Sequence, residues 1–476
     1  MDCRSMSIDD LSAQVHRDLE YLSYPAQEWV PPRYVQGERV LDVLIVGAGQ
    51  GGLATAFGLR REQVTHTLVI DRKRRGEEGP WTTFARMSTL RTPKTVTGID
   101  LGIPSLTPRA WYEASFGHAA WERLERFTPA IWRDYLDWYR DVLGITVENE
   151  TALTSIEPGE GALKAHLAGP RGTRAIRVRK IVLATGIDGS GVWQIPGIVK
   201  ERLPGARYAH AAEQIDFRRL AGKRVAILGG GASAFDNAAA ALEAGAAQVE
   251  VLLRRTAVPR INPYMWTNFA GVLGHFAELD DLQRWRYARH ILDLLPNPPP
   301  QQTYWRCARF QNFAMRMQVD PQSLRMGADG IELKAIDGLI RADFLIAATG
   351  VETDPGLRPE LAGIANLIAL WRHRFVPPAG EESAAVGNHP YLGAAFEFTE
   401  RVPGSAPFLR NIHNFTFGAL ASLGLTGGAV TGMRYGVPRL IDGLVRDIFI
   451  ADSDIHYRSL IRYDDHELES LAPPPS

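Results

Sequence analysis

Two glycine-rich segments, about one domain length apart, each follow an apolar run typical of a buried strand and precede a run typical of a helix. They read VLIVGAGQGG at residues 43–52 and VAILGGGASA at residues 225–234. In the pattern G-x-G-x-x-G/A the first glycine allows a sharp turn, the second a close approach of a pyrophosphate, and the third tight packing of helix on strand. Two such patterns predict two bound dinucleotides, and two dinucleotides in one chain imply electron transfer between them.

The residues that follow the next strand of each copy differ in charge. In the first copy the strand at 67–70 is followed by Asp71, whose carboxylate can accept hydrogen bonds from ribose hydroxyls. In the second copy the strand at 249–253 is followed by Arg254 and Arg255, which suit the 2′-phosphate of NADPH. Alternatively, these arginines bind no phosphate and are charged residues at a strand end that faces solvent. The predicted turn positions are Gly47, Gly49 and Gly52 in the first copy and Gly229, Gly231 and Ala234 in the second.

Two further apolar runs end in the same three residues, Ala-Thr-Gly. They span residues 181–186 and 345–350, one before the second glycine-rich segment and one after it. Each run has the length and composition of a buried strand, and its position predicts that it completes one of the two nucleotide domains. The cofactor-contacting residues predicted from these runs are Thr185, Gly186, Thr349 and Gly350.

The composition argues against several other classes of protein. Lysine plus arginine total 53 against 54 for aspartate plus glutamate, so charge gives no reason to expect a nucleic acid or an anionic membrane as partner. No apolar run reaches the ~18 to 20 residues of a membrane helix. The two cysteines, Cys3 and Cys307, form no C-x-x-C pair, which predicts a cytoplasmic location and disfavours a disulfide reductase.

The order of these segments resembles that of the two-dinucleotide flavoprotein monooxygenases. That order is an FAD fingerprint, an Ala-Thr-Gly strand, an NADPH fingerprint, a second Ala-Thr-Gly strand and a C-terminal helix over the flavin. Within that superfamily, residues 87–94, 274–281, 298–303 and 411–415 are similar to a smaller group, which includes an FAD-dependent urate hydroxylase and an aspartate N-monooxygenase.

One region departs from a related pattern. Baeyer–Villiger enzymes resemble this chain in layout but have F-x-G-x-x-x-H before the second fingerprint. Residues 203–210 lack the phenylalanine, and His210 lies one position after the place where the pattern has its histidine. The resemblance therefore does not favour a Baeyer–Villiger reaction.

The resemblance implies a fold and a reaction. The fold is α/β, with two Rossmann-like three-layer dinucleotide-binding domains and the NADPH domain inserted into the FAD domain. NADPH would reduce FAD, and a C4a-hydroperoxyflavin formed with O2 would give one oxygen atom to a small polar substrate. Urate, converted to 5-hydroxyisourate, is the favoured substrate. The alternatives are N-hydroxylation of an amino acid or amine such as aspartate, and a non-catalytic flavoprotein.

Domain boundaries follow from these assignments. The sequence does not decide whether the protein forms a homo-oligomer. A last helix is predicted over residues 429–449, interrupted by Pro438. The predicted divisions are an N-terminal extension at 1–38, the FAD domain at 39–195 and 346–463, the NADPH domain at 196–345 with a helical insertion at about 256–326, and a tail at 464–476.

The remaining candidates lie near the predicted flavin. Trp81 is predicted to pack on the adenosine or the flavin, with an ordinary core position as the alternative. Gly427 and Gly428 precede the last helix and can aim N–H groups at the flavin N1/O2 edge. No pattern of metal ligands occurs, so no metal is predicted. Candidates for binding an anionic substrate are Arg91, Lys94, Arg306 and His413.

Overall fold

Short helices alternate with strands along most of the chain. The computed structural model describes residues 6–24, 27–294 and 297–468, so Cys3 and the end of the predicted tail lie outside the described residues. The helices, apart from 3₁₀ turns and one π turn, are α1 (Ile8–Tyr21), α2 (Gln50–Arg61), α3 (Pro108–Phe116), α4 (His118–Arg123), α5 (Pro129–Val142), α6 (Gly197–Arg202), α7 (Ala232–Glu243), α8 (Pro263–Trp266), α9 (Ala270–His275), α10 (Asp281–Arg289), α11 (Gln301–Ala308), α12 (Trp371–Arg374), α13 (Ala384–Gly387), α14 (Leu420–Leu423), α15 (Val430–Ala451) and α16 (Ser453–Arg462).

The strands form two large sheets and three small ones. The longest strand has fifteen residues and takes part in two kinds of pairing. The strands are β1 (Tyr34–Val35), β2 (Glu38–Arg39), β3 (Leu41–Val46), β4 (Thr67–Ile70), β5 (Val147–Glu148), β6 (Ala152–Pro158), β7 (Leu163–Gly169), β8 (Gly172–Gly186), β9 (Gly191–Trp193), β10 (Tyr208–His210), β11 (Arg224–Leu228), β12 (Gln248–Leu252), β13 (Phe313–Arg316), β14 (Asp320–Gly327), β15 (Gly330–Ala335), β16 (Gly338–Ala342), β17 (Phe344–Ala347), β18 (Val351–Thr353) and β19 (Ile412–Thr416).

The first large sheet contains the first glycine-rich turn. Its order is β5-β4-β3-β8-β7-β6, and β19 pairs with β8. β3 is parallel to β4 and β8, and it reads as a continuous apolar run because both faces of the sheet are covered. The first part of β8 is antiparallel to β7, while its last part, which ends in Ala-Thr-Gly, lies in the parallel region. The first Ala-Thr-Gly run therefore completes this sheet, as the sequence predicts.

The second large sheet is entirely parallel, with the order β10-β17-β11-β12-β13. Helices α7 and α11 cover one face, where Phe235 and Cys307 are fully buried. The antiparallel sheet β14-β15-β16 covers the other face through Leu324 and Leu333. The second Ala-Thr-Gly run supplies β17. These three layers confirm the predicted doubly covered nucleotide-binding architecture.

Two predictions about individual elements are wrong. Residues 256–326 are helical only as far as α11, because β13 pairs with the open edge of β12 and β14 begins the small antiparallel sheet. The last helix does not end and restart at Pro438, one of the two outcomes predicted with a kink, since α15 runs from Val430 to Ala451 with the proline inside it. Val437 and Leu440 beside that proline are fully buried, and their packing outweighs the one missing backbone hydrogen bond.

The insertion in the second unit packs back onto the first unit. Leu273 of α9 and Ala288 of α10 are buried in one cluster with Leu420 and Leu425. Residues 420–425 immediately precede the predicted flavin-covering glycines. The insertion thus packs against the segment that leads to those glycines. No helix among the described residues combines the length and the apolar character needed to cross a membrane.

Candidate functional site

The first glycine-rich turn leaves β3 and enters α2. Gly47 has φ +103°, and a Cβ there would lie 2.6 Å from the carbonyl oxygen of Ala184. A Cβ at Gly52 would lie 1.8 Å from the carbonyl oxygen of Gly47. A Cβ at Gly49, in contrast, would meet no atom of the described residues within 4 Å, and no side chain among them caps α2. The turn leaves open space and free N–H groups where a pyrophosphate is predicted to rest.

Asp71 follows β4 and lies beside this turn. Its Oδ2 accepts the N–H of Ala48 and its Oδ1 accepts the N–H of Lys73, both at 2.8 Å. The side chain is buried, and burial raises the pKa of the carboxyl group. A carboxylate can accept about four hydrogen bonds, so capacity for a ribose hydroxyl remains. Asp71 also holds the turn in place, which the sequence did not indicate.

Trp81 is connected to the first turn through one other aromatic residue, Trp132. Its ring meets Trp132 edge to face, with 6.4 Å between the ring centroids. Trp132 in turn donates from Nε1 to Oε1 of Gln50, the first residue of α2, at 3.2 Å. Trp81 is half-buried against the first core. This position fits both the predicted contact with the cofactor and an ordinary core position.

The second glycine-rich turn repeats the geometry of the first. Gly229 has φ +136°, and a Cβ there would lie 2.4 Å from the carbonyl oxygen of Ala348. Ala234 occupies the third position and is fully buried in the second core.

The start of α7 differs from the start of α2. The carbonyl oxygen of Asn297 accepts the N–H of Ala232 at 3.2 Å, and it lies 3.3 Å from where a Cβ on Gly231 would be. A pyrophosphate at this turn therefore has to share the helix start with that carbonyl group or displace it.

Arg254 and Arg255 lie just beyond β12, and both are exposed. Arg254 makes no hydrogen bond or ion pair with any described residue. Nη2 of Arg255 donates to the carbonyl oxygen of Asp293 at 3.3 Å, a weak contact. Most of the guanidinium donors at this strand end therefore remain available for a phosphate.

Both Ala-Thr-Gly runs lead into a link between the two sheets. Gly186 and Gly350 adopt positive φ, +64° and +84°, and turn the chain out of β8 and β17. The segments that follow pair with each other as the antiparallel strands β9 and β18. Thr349 donates from its hydroxyl to the carbonyl of Gln194 in this link. In the other run, the side chain of Thr185 packs against Gly189, where a Cβ would lie 1.7 Å from its Oγ1.

His210 lies beside the same link. It is buried in β10, and its ring stacks on Trp193 of β9 with 5.3 Å between centroids. Nδ1 accepts the N–H of Ala212 at 3.0 Å, and burial lowers the pKa of the imidazole. These contacts give His210 a structural place between the two units.

The glycines before α15 pack against the end of β19. A Cβ at Gly427 would lie 2.6 Å from the carbonyl oxygen of Thr416, and one at Gly428 would lie 3.2 Å from Cα of Phe417. The segment that contains them therefore runs directly over the carboxyl end of the first sheet. Ligands of parallel α/β sheets bind at that end, so the position is the one expected for a flavin-covering segment.

The predicted substrate-binding cations Arg91 and Arg306 instead join the two units. Nη2 of Arg91 donates to Oδ2 of Asp236 on α7 at 2.8 Å. Arg306 pairs with Glu243 on α7 at 2.8 Å and donates to the carbonyl of Arg86 at 3.3 Å. The loop that follows β4 is thereby held against the second unit.

Breaking the Arg91–Asp236 contact should destabilise the protein measurably. Asp236 is buried and burial raises its pKa, an effect that Arg91 opposes. We expect Arg91→Ala to lower the free energy of unfolding by about 1–3 kcal/mol, below the full cost of a broken buried pair because Arg91 is partly exposed. Urea unfolding of the single variants and of Arg91→Ala with Asp236→Asn gives the coupling energy. A coupling near zero, or an equal loss in exposed Arg218→Ala, would contradict the assignment.

Lys94 and His413 have partners inside the first unit. Nζ of Lys94 donates to the carbonyl oxygen of Trp121 at 2.7 Å and lies 4.7 Å from the centre of its ring. His413 is fully buried in β19, and its Nδ1 lies 2.7 Å from the carbonyl oxygen of Ala395. The structure therefore does not bring the four predicted substrate-binding residues together.

His413 should make stability depend on pH. Burial, reinforced by nearby Lys180, lowers its pKa to about 3, whereas a histidine in an unfolded chain titrates near ~6.5. The folded state therefore binds this proton less readily, and stability is lost as pH falls below ~6.5. The loss should reach about 2 kcal/mol at pH ~5.

The substitution His413→Asn tests this expectation. Asparagine keeps an N–H donor for the Ala395 carbonyl but does not titrate. Urea unfolding at neutral pH and near pH ~5 should show a smaller loss in this variant than in the parent protein. The same substitution at His466, an exposed histidine, is the matched control. An identical pH dependence in His413→Asn and the parent would refute the role.

A buried polar cluster that the sequence did not indicate supports the predicted flavin-covering segment. Ser422 is fully buried, donates to the Pro390 carbonyl and accepts from Nε1 of Trp371, both at 3.0 Å. Arg284 of α10 donates to the Ser422 carbonyl at 3.2 Å and lies 5.2 Å from the Trp371 ring. These partners are 32, 51 and 138 positions away from Ser422. No local motif could have revealed them.

Comparison with known proteins assigns the chain to a family. It is 42% identical over 473 residues to the FAD-dependent urate hydroxylase of Xanthomonas campestris pv. campestris, a match that covers 99% of each chain. The chain belongs to the family of that urate hydroxylase. Residues 41–271 also match the model of the pyridine nucleotide-disulphide oxidoreductase family. The match spans both glycine-rich turns.

Solved structures share the fold at low sequence identity. The ornithine hydroxylase of Pseudomonas aeruginosa superposes with a TM-score of 0.65 at 18% identity, covering 86% of this chain and 99% of that one. The L-lysine 6-monooxygenase of Pseudomonas syringae gives 0.63 at 16% identity, covering 85% and 99%. These similarities confirm the predicted two-nucleotide flavoprotein fold in this family member.

Cys307 is unsuited to disulfide chemistry. Its side chain is fully buried, and its Sγ donates to the carbonyl of Phe235 at 3.3 Å. Burial raises the pKa of the thiol to about 12, so it is not a thiolate at neutral pH. Among the described residues, no three His, Cys, Asp or Glu side chains are grouped so that they could hold a metal ion.

Proposed function

We propose that this chain is an NADPH- and FAD-dependent monooxygenase that hydroxylates urate. The observation that carries the proposal is the 42% identity, over 99% of both chains, to a protein named as an FAD-dependent urate hydroxylase. The two glycine-rich turns, on separate parallel sheets joined by the β9–β18 link, support a reaction that uses two dinucleotides.

The first unit fits FAD. The open space at Gly49 and the uncapped start of α2 suit a pyrophosphate. Asp71 retains acceptor capacity for a ribose, and Thr185 and Gly186 end the adjacent strand. When bound there, FAD supplies hydride acceptance from NADPH and activation of O2. The other predicted contacts of this unit are Gly47, Gly52, Trp81, Gly427 and Gly428.

The second unit fits NADPH with one condition. Arg254 and Arg255 offer donors for a 2′-phosphate, whereas the Asn297 carbonyl at the start of α7 competes with a pyrophosphate. Thr349 and Gly350 lie at the link, where the nicotinamide end has to approach the first unit. The turn residues Gly229, Gly231 and Ala234 complete this proposed site.

The insertion provides the dry environment that oxygen transfer needs. Apolar side chains of α9 and α10 pack on Leu420 and Leu425, and Arg284 fixes the carbonyl of Ser422 beside them. Water that such packing excludes cannot divert the activated oxygen from the substrate to hydrogen peroxide. These residues position the flavin-covering segment and do not themselves react. The partners of this reaction are the small-molecule substrate and O2.

A direct assay distinguishes this function from its alternatives. The FAD-loaded protein is mixed with NADPH and with urate, aspartate or no substrate, and NADPH oxidation and the release of hydrogen peroxide are followed in parallel. Under ¹⁸O₂, urate should stimulate oxidation at least ~10-fold, and the product should contain one ¹⁸O atom. Stimulation by aspartate with a hydroxylamine product would favour the N-hydroxylation alternative. Hydrogen peroxide as the sole oxygen product with every substrate would overturn the proposal.

A further inference from the structure

Arg86 lies in the loop that follows β4, and its side chain reaches the second unit. Nη1 of Arg86 donates to the carbonyl oxygen of Ala211, and Nη2 donates to the carbonyl oxygen of Glu213. The guanidinium also lies over the ring of Phe217, with 5.1 Å between Cζ and the ring centroid. One side chain from the loop of the first unit therefore holds three positions of the second unit.

The positions that Arg86 contacts begin at the carboxyl end of the second sheet. Ala211 directly follows β10, is buried in the second core, and donates its N–H to the carbonyl oxygen of Ala347 at 2.9 Å. Ala347 is the last residue of β17 and precedes the second Ala-Thr-Gly turn. Ligands of parallel α/β sheets bind at this end. The contact thus lies beside the turn where the nicotinamide end of NADPH is proposed to approach the first unit.

The other end of the loop segment is tied to the first unit near its glycine-rich turn. The N–H of Ala85 donates to the carbonyl oxygen of Pro80 at 2.9 Å. The next residue, Trp81, packs on Trp132, which bonds to the start of α2. Arg86 therefore connects the surroundings of the first nucleotide turn to the end of the second sheet.

The acceptors of Arg86 make the contact a stiff one. Among the described residues Arg86 forms no ion pair, and its hydrogen-bond partners are main-chain carbonyl groups. Burial lowers the pKa of the guanidinium to about 10, so the group remains charged at neutral pH. A guanidinium is a rigid planar fork, and backbone carbonyls cannot follow it as a flexible carboxylate can. The contact therefore fixes the backbone of the second unit and not merely a side chain.

The remaining connections between the units do not make this contact redundant. The chain crosses between the units through β9 and β18, which pair at three positions, and two-stranded ribbons twist more than larger sheets. Arg91 and Arg306 tie the same loop to α7 and α11. Phe84 meets Trp193 of β9 edge to face, with 5.4 Å between ring centroids. Arg86 alone among these side chains ties the loop to the end of a strand in the second sheet.

We propose that Arg86 is a positioning residue for hydride transfer, because it sets the orientation of the second unit and hence the approach of the nicotinamide to the flavin. The proposal rests on the proposed function, in which a hydride, two electrons and one proton, leaves NADPH and is accepted by FAD. Reacting atoms have to lie ~3–3.5 Å apart, and a misplacement of ~1 Å can cost ~100-fold in rate. Arg86 acts through the backbone that it holds and does not itself react.

Distances between the two units test the proposal without the reaction. Spin labels are attached to Ile336→Cys in the second unit and Val402→Cys in the first, both at exposed positions. Cys3→Ser removes the other cysteine that could be labelled, since Cys307 is fully buried. The distribution of label-to-label distances should widen when Arg86→Gln is added. An unchanged distribution would overturn the proposal.

Arg202→Gln is the matched control for this measurement. Nη1 of Arg202 also donates to two main-chain carbonyl oxygens, those of Gln322 and Leu324, at 2.8 and 2.9 Å. All three residues belong to the second unit, so their contact does not join the units. Arg202→Gln should leave the distribution of distances at its parent width. Equal widening in both variants would mean a general loss of rigidity and would overturn the proposal.

Anaerobic reduction of the flavin measures the consequence for the reaction. With saturating NADPH, the reduction rate should fall by about 10- to 100-fold in Arg86→Gln and stay unchanged in Arg202→Gln. N-benzyl-1,4-dihydronicotinamide has the same reactive ring but no phosphates for the second unit to hold. It should reduce the flavin of Arg86→Gln at the parent rate. Equal slowing with both donors would place the damage in the flavin site and overturn the positioning role.

Two further outcomes separate the parts of the proposal. Arg86→Lys keeps the positive charge without the planar fork, so a full parent rate in this variant would overturn positioning by the two-carbonyl contact. If NADPH does not reduce the flavin of the parent protein, the proposed function fails. The distance measurement still decides, in that case, whether Arg86 sets the orientation of the units.

Discussion

Gly49→Ala should give a folded protein whose affinity for FAD is lower by about 10- to 100-fold, or 1.4–2.8 kcal/mol. The φ of Gly49 is −71°, which alanine adopts without strain. The added methyl group would meet no atom of the described residues within 4 Å. It would occupy the space that a pyrophosphate needs at the start of α2, so the loss falls on binding and not on the fold.

Two other glycines make this expectation specific. A Cβ at Gly52 would lie 1.8 Å from the Gly47 carbonyl oxygen, so Gly52→Ala should lower the thermal midpoint of the apoprotein as well. Gly205 has open surroundings like Gly49 but lies away from the turn. Gly205→Ala should therefore change neither property. FAD titration and thermal unfolding of the apoproteins measure both quantities. Normal FAD affinity in Gly49→Ala would place the pyrophosphate elsewhere.

The nucleotide-binding turns could be predicted because their requirements are local. Gly47 and Gly229 both adopt positive φ and approach a neighbouring carbonyl group, and glycine alone satisfies both conditions at no cost. The Ala-Thr-Gly runs are similar, since Gly186 and Gly350 end their strands in the same backbone conformation. Each of these features is determined by a few consecutive residues. A single sequence is sufficient to read them.

The partners of charged side chains could not be predicted in this way. Arg91 was assigned to a substrate from its residue type and its loop, yet its carboxylate partner lies 145 positions later on α7. His413 was assigned from its place before the glycine cluster, but strand pairing buries it inside β19. Both positions depend on which elements meet in three dimensions.

The two errors in secondary structure have the same origin. The sequence between 256 and 326 is rich in helix-like patterns, but residues 313–316 form a strand because they pair with the open edge of β12. Pro438 disfavours a helix locally, but buried side chains on both sides keep α15 continuous. In each case tertiary packing overrides local preference.

Arg254→Ala combined with Arg255→Ala should weaken NADPH binding by about 10- to 100-fold while changing NADH binding less than ~3-fold. The estimate assumes that the pair supplies the equivalent of one charge-assisted hydrogen bond, of about 1.5–3 kcal/mol. Both arginines are exposed, and among the described residues their side chains make one hydrogen bond, the 3.3 Å bond from Arg255 to the Asp293 carbonyl. The double variant should therefore keep the stability of the parent within ~0.5 kcal/mol.

Binding titrations separate this effect from a loss of activity. Dissociation constants for NADPH, NADH and 2′,5′-ADP should be measured with the FAD-loaded protein, since the last ligand contains the 2′-phosphate without a nicotinamide. Its affinity should fall in parallel with that of NADPH, and the salt dependence of NADPH binding should become shallower. Arg218→Ala with Arg219→Ala removes an equally exposed pair and should change none of these values. Equal weakening of NADPH and NADH would mean that the two arginines do not recognise the 2′-phosphate.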